Sequence, residues 1–432
     1  MDAPINKTIL ANGIRILSKR MTQVRSASMG VWVNVGARDE AASESGLSHF
    51  IEHMIFKGTQ KRSAFQIAKE FDAIGGHTNA FTAMENTCYH AKVMDTHLET
   101  MVDILSDIFL NSVFDEREVE RERPVILQEI GMIEDSPDEY VHVLTGRNFW
   151  GDNPLGRSIL GRPENIIGFD AAMIKNFFHR LYQPERIVIS IAGNVDHAHF
   201  VDLVGPSFET IRPGNGFPER ITPESHSGVD LHYRELEQVH VCLGSKGLSI
   251  TDPRRYAFSL LNTILGGNMS SRLFQEIREK RGLAYSVYSF IYSHVDTGMF
   301  GVYGGVAPKQ THATIALILE EIRKLQNEPI DRTELRDAME FTKGSLLLAS
   351  ESTDNQMVRT AQNEIHFERD IPLQEVLDQV EAVTEEEIRD LAGCLFNTDQ
   401  MALTLLGPVK DPKTFEDLLP RRARDESRSR IE

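Results

Sequence analysis

The sequence has no apolar run that approaches the length of a membrane span, so it predicts no transmembrane helix. Cysteine is scarce: Cys88, Cys242 and Cys394 lie far apart and form no C-x-x-C pair. That speaks against a disulfide framework and predicts three small buried side chains in a reducing compartment. Basic residues are outnumbered, 46 Lys and Arg against 64 Asp and Glu, which leaves a formal net charge of −18. Such a chain is not expected to bind nucleic acid; it is suited to solubility and to basic or neutral partners. The opening Met1-Asp-Ala-Pro-Ile-Asn-Lys-Thr8 has neither a basic region followed by an apolar run nor an arginine-rich, acid-poor amphipathic stretch. The expected location is therefore cytoplasmic. At 432 residues, 41% hydrophobic and 25% charged, the chain is long enough for two domains with separate cores.

What the chain does have is concentrated in Gly46-Leu-Ser-His-Phe-Ile-Glu-His-Met-Ile-Phe-Lys-Gly58. Read as a helix, this stretch puts His49 and His53 four residues apart on one face, the separation at which two imidazoles can share a metal ion. Glu52, beside them, is placed to act as general base toward a metal-bound water. The order H-x-x-E-H is the inverse of the zincin pattern. Three fixed residues in five arise by chance in roughly one chain in a few tens of this length. Here Leu47, Phe50, Ile51, Met54 and Ile55 make the helix largely apolar and hence buried, and buried His and Glu side chains need partners. Gly58 is the expected C-cap.

A catalytic zinc usually takes three protein ligands. The acidic helix from Asp115 to Glu134 offers the third, with Glu122 and Glu129 seven residues, or two turns, apart on nearly one face. Glu129 stands out because it sits among Val125, Ile126, Leu127 and Ile130.

With His49-Phe-Ile-Glu-His53 followed by Glu129, and Glu122 seven before it, the chain resembles the M16 metallopeptidases, the family of pitrilysin, insulin-degrading enzyme and the mitochondrial processing peptidase. The resemblance covers nearly the whole chain, at a length typical of the short, processing-peptidase-like members. It implies a zinc endopeptidase acting on peptides or unfolded segments, with one Zn2+ per chain held by His49, His53 and Glu129. It implies further that Glu52 activates water and that Glu122 supports the ligands from behind. Asn79-Ala80-Phe-Thr82 resembles the family's substrate-binding edge strand, which would capture peptide backbone by strand addition. Arg278 and Tyr285 resemble its substrate-contacting arginine/tyrosine pair, whose donors suit a peptide carbonyl and the oxyanion developing from it. In larger members that pair lies on the half opposite the zinc, so a homodimer or a heterodimer with a related subunit is expected here. The alternative is a non-catalytic or partner-dependent subunit, a role some members of the family fill. No mitochondrial targeting segment is visible, so presequence cleavage is not the expected role.

Along the chain, Thr8 to Leu17 reads as a hairpin turning at Asn12-Gly13, and Val31, Val33 and Val35 mark a strand. Ser63 to Ile74 is a helix with a Ser63/Gln66 capping box. Strand character returns over 77–93, and helices are expected over 98–110 and 171–181. Ser136-Pro-Asp-Glu139 breaks the acidic helix. A buried strand is expected over 186–195, and Arg212-Pro-Gly-Asn-Gly-Phe-Pro218 is the best linker. His77, His90 and His97 are read as structural or exposed, and Gly266-Gly267 as a helix end and tight turn.

The part after the linker repeats the part before it: Val31, Val33 and Val35 recur as Val239, Val241 and Leu243 at an offset of 208. At that offset His49, Glu52 and His53 become Ala257, Leu260 and Leu261, so the second copy has no metal site. The expected architecture is α+β, with a zinc-binding catalytic domain over 1–212 and a homologous one over 213–432 that carries Arg278 and Tyr285. Each is a mostly antiparallel sheet with helices on one face. Arg421–Glu432 reads as a charged, frayed tail.

Overall fold

Period-two alternation of apolar residues requires a sheet with a covered face, and two such sheets organise the chain in the computed structural model, which describes residues 4–214, 216–415 and 417–419. The tail expected from Arg421 lies outside the described residues. The first sheet orders its strands β1-β2-β6-β3-β5-β4. They are β1 (Ile5–Ile9), β2 (Arg15–Arg20), β3 (Ser26–Val33), β4 (His77–Thr82), β5 (Thr87–Met94) and β6 (Ile187–Gly193). The second orders β7-β11-β8-β10-β9, from β7 (Gly228–Tyr233), β8 (Val239–Lys246), β9 (Ala284–Ser293), β10 (Gly298–Val306) and β11 (Ala402–Gly407). Both are mostly antiparallel, with one parallel pairing each, β2 with β6 and β7 with β11.

The first seven helices are α1 (Leu47–Met54), α2 (Ala64–Ala73), α3 (Leu98–Asn111), α4 (Glu116–Asp135), α5 (Pro137–Trp150), α6 (Pro163–Gly168) and α7 (Ala171–Leu181). Then come α8 (His197–Phe208), α9 (Arg255–Asn262), α10 (Thr311–Asn327), α11 (Arg332–Ser350), α12 (Thr353–Phe367), α13 (Leu373–Glu381) and α14 (Glu385–Leu395). Among the described residues no helix is long and apolar enough to cross a membrane.

The chain divides into two compact units, each made of three segments. One comprises Met1–Met132, Arg157–Ile221 and Gly344–Val376, the other Ile133–Gly156, Thr222–Lys343 and Leu377–Glu432. The division is not a single cut at the linker, because each half of the sequence contributes a helix to the unit of the other half. In the first unit the alternation along β3 sends Met29, Val31 and Val33 into the main core with α1, α3, α7 and α8. It sends Trp32 to the other face, where Cys88, Val188 and Ala192 meet Met357 and Ala361 of α12. In the second unit α5 takes the equivalent place, with Val141 and Leu144 on Cys242, Tyr303 and Leu406. Each sheet therefore has a main helical layer and one further helix on its second face.

The duplication is visible in element boundaries. α1 at 47–54 recurs as α9 at 255–262, an offset of 208, and α5 beginning at 137 recurs as α12 beginning at 353, an offset of 216. In α9 the counterparts of the motif, Ala257, Leu260 and Leu261, are all core residues.

Several local expectations hold. The first hairpin turns at Gly13, which takes a φ of +96°. Ser63 and Gln66 form the capping box of α2. Others need correction. The metal helix ends at Met54, and Gly58 instead occupies a bridge to Ser63 at a φ of +129°. Ser136-Pro137 starts a new helix, α5, because proline is accepted at the first helical position. Cys88 and Cys242 are buried, but Cys394 is exposed.

Candidate metal centre and active site

The short helix α1 is positioned at both ends by what surrounds it. Its N-cap is Gly46, in the left-handed region at a φ of +105° and without a side chain to cap with. The carboxyl group of Glu40 replaces that cap: its Oε2 accepts from the Gly46 amide at 2.8 Å and its Oε1 from the Ser48 amide at 2.7 Å. Glu40 is 3% exposed. Burial pushes its pKa up to about 8 against the opposing pull of those backbone bonds. Below the cap, Leu47, Phe50, Ile51 and Met54 anchor the helix in the core, which leaves His49, Glu52 and His53 on the remaining face.

His49, His53 and Glu129 converge. The two Nε2 atoms are 3.2 Å apart, and Glu129 Oε2 is 3.5 Å from His49 Nε2 and 3.4 Å from His53 Nε2. A tetrahedral ion with ligands at about 2.0–2.1 Å requires donor separations of about 3.3–3.4 Å, so all three spacings fit zinc. Protonation fits as well. Burial, with the His53 charge second, pulls His49 down to about 3, so its ring is neutral. His53 Nδ1 meets Glu122 Oε1 at 2.8 Å, which fixes the proton on Nδ1 and leaves the Nε2 lone pair toward the cluster. Glu122 also accepts from Lys57 Nζ at 2.6 Å. Burial alone would raise the Glu122 pKa, but the bonds from His53 and Lys57 outweigh it, and the group sits below the ordinary carboxylate value. Among the described residues this is the one group of His, Cys, Asp and Glu side chains close enough to hold a metal. His77, His90 and His97 are not part of it.

Glu52 stands beside the cluster. Desolvation raises its pKa, while Thr82 and the neighbouring His53 charge oppose the rise. Its Oε2 accepts from the Thr82 hydroxyl at 2.6 Å. Thr82 ends β4, the strand that carries Asn79 and Ala80 and forms an edge of the first sheet. Asn79 is exposed and Ala80 half-buried, with Asn79 Oδ1 accepting from the Ala80 amide at 2.9 Å.

Arg278 and Tyr285 come together in the second unit. The guanidinium carbon lies 4.8 Å from the Tyr285 ring centre and 4.7 Å from that of Phe274, and Tyr285 is 79% exposed at the start of the edge strand β9. In this unit the counterparts of the metal motif, Ala257, Leu260 and Leu261 of α9, are apolar core residues.

Residues 15–163 match the family described as Insulinase (Peptidase family M16), and residues 168–341 match Peptidase M16 inactive domain. The chain belongs to peptidase family M16. A Bacillus subtilis relative, named an uncharacterized zinc protease, is 41% identical over 94% of this chain and 98% of its own length. A Streptomyces coelicolor relative of the same description is 40% identical over 94% of this chain and 90% of its own. In fold, the crystal structure of a protease from Helicobacter pylori superposes with a TM-score of 0.89, covering 94% of this chain and 99% of that one at 22% identity. The M16 label "inactive" on the second domain agrees with the apolar residues that stand at its motif positions.

Sequence reasoning missed Glu40, Thr82 as a partner of the base, and Lys57. Thr82 was within reach as the last residue of the recognised edge-strand motif. Glu40 carried no signal, since it reads as one more charge in the polar loop Ala37–Ser45.

Proposed function

We propose that this M16 chain is a zinc-dependent endopeptidase that hydrolyses peptides or unfolded segments. The observation that supports this most strongly is the convergence of His49 Nε2, His53 Nε2 and Glu129 Oε2 at zinc spacing with the Glu52 carboxyl group alongside. Zinc held there supplies Lewis-acid polarisation of the scissile carbonyl. The rest falls to the chain. With Oε2 bound to Thr82, Oε1 of Glu52 is the free oxygen that takes the proton of the attacking water and returns it to the leaving amine. A raised Glu52 pKa suits both transfers. β4 presents unpaired backbone next to the site, which favours extended peptide bound by strand addition. Arg278 and Tyr285 serve as substrate-contacting donors, and in a chain of this length they act on the site of a second chain in a dimer. The intact set of His49, Glu52, His53 and Glu129 disfavours a purely scaffolding role.

The test is cleavage of a panel of unstructured peptides, some basic, by the purified chain, with a chelator and Glu52→Gln as controls. Turnover abolished by both supports the proposal; turnover that survives either, or no turnover at full zinc occupancy, overturns it for the chain alone.

A further inference from the structure

The edge strand and the general base are physically joined, and the bond that joins them is short. Thr82 Oγ1 lies 2.6 Å from Glu52 Oε2 and 3.5 Å from the Ser48 carbonyl oxygen. One hydroxyl proton serves one acceptor well, and those distances assign it to Glu52.

The backbone of β4 shows why this residue matters. The Ala83 amide donates to the Asn86 carbonyl at 2.8 Å, closing the β4–β5 hairpin. Antiparallel pairing alternates, so the backbone groups of Thr78, Ala80 and Thr82 face away from β5, toward open edge. The Ala80 amide, held by its neighbour's Asn79 Oδ1, conforms to that alternation. Thr82 thus grips the carboxyl group of Glu52 with its hydroxyl at the end of the strand that is open to peptide. Thr78 and the Ala80 carbonyl remain to pair with an incoming strand, the Ala80 amide once it leaves Asn79 Oδ1, while the Thr82 side chain is committed to Glu52.

We propose that Thr82 is the positioning residue of the general base, holding Glu52 Oε2 so that Oε1 faces the water, and that the Glu52–Thr82 contact marks where peptide pairing with β4 ends and hydrolysis begins. This rests on the peptidase reading. The Thr82 hydroxyl is given to Glu52 and bonds none of the three metal-cluster side chains, so removing it acts on the base.

The experiment compares kcat and KM of the zinc-loaded wild type, Thr82→Val, Thr82→Ser and Thr82→Ala on one cleaved peptide, with zinc content measured on each sample. The expected result is a kcat for Thr82→Val lower by about ten- to a hundredfold, the range for losing a bond to a charged group. KM should stay within about twofold and zinc content unchanged, with Thr82→Ser restoring most of the rate. If Thr82→Val misfolds, Thr82→Ala is read by the same split. A kcat unchanged in the valine and alanine variants, a loss carried by KM, or a serine variant as impaired as valine would overturn the proposal. A wild type without turnover, or with turnover that persists in Glu52→Gln, would instead defeat the peptidase reading itself, so the two failures are distinct.

Discussion

Glu40 caps the metal helix from six and eight residues away, and removing that cap has a calculable effect. Glu40→Ala leaves the amides of Gly46 and Ser48 without their acceptors in a site where Glu40 is 3% exposed. A buried unsatisfied donor costs about 1–3 kcal/mol, so the pair amounts to roughly 2–6 kcal/mol, reduced to the extent that water enters. The loss is local to α1, which carries His49 and His53, so hydrogen exchange at Phe50 and Ile51 should quicken before the rest of the unit is affected. Glu40 also introduces a pH dependence. Its folded-state pKa of about 8 lies above the ordinary 4.5. The folded chain therefore keeps a proton that the unfolded chain has released, and the group's contribution is full below about 4.5 and lost as pH rises through about 8. Between about pH 5 and 8 the wild type should lose stability relative to Glu40→Gln by up to ~1.4 kcal/mol per pH unit. Zinc-free samples are to be compared by thermal unfolding across that range, so that pH-dependent zinc binding does not enter, and the ligands' own protonation is common to both proteins. Parallel curves for wild type and Glu40→Gln, or a Glu40→Ala protein as stable as wild type with unchanged exchange in α1, would refute the reasoning.

Two further outcomes are expected. Glu122→Ala removes the acceptor that fixes the His53 tautomer and leaves Lys57 without its 2.6 Å partner, so zinc should bind about 10- to 100-fold more weakly by competition with a chelator, without loss of fold by circular dichroism. If Arg278 and Tyr285 serve a second chain, a mixture of Glu52→Gln and Arg278→Ala proteins, each inactive alone, should recover part of the wild-type turnover through dimers with one complete site; a mixture that stays inactive although it exchanges subunits contradicts that arrangement.

Much of the site was legible in sequence because its spacing is helical. His49, Glu52 and His53 lie within two turns of α1, and Glu122 and Glu129 within two turns of α4, so local geometry alone aligns each set. Pairing the two helices across 75 intervening residues needed the family resemblance, since no periodicity links them. The α+β architecture and the duplication followed from alternation and steady offsets. What escaped is non-local. Nothing in Pro137–Trp150 or Thr353–Phe367 says which sheet it covers, because an apolar helix face fits either. Glu40 was hidden for a related reason: its value comes from the fold bringing a loop carboxyl group onto a glycine-capped helix. Gly58 was misread as a cap because a positive φ serves bridges as readily as helix ends.

The central claim, that three side chains hold the metal while a fourth does acid–base work, is tested most directly by measuring zinc content and peptide turnover on the same samples of His49→Ala, His53→Ala, Glu129→Gln and Glu52→Gln. The prediction is that the first three lose zinc and turnover together, while Glu52→Gln keeps about one zinc per chain and loses turnover by several orders of magnitude. A Glu52→Gln protein that still cleaves, or ligand variants that retain stoichiometric zinc, would contradict it.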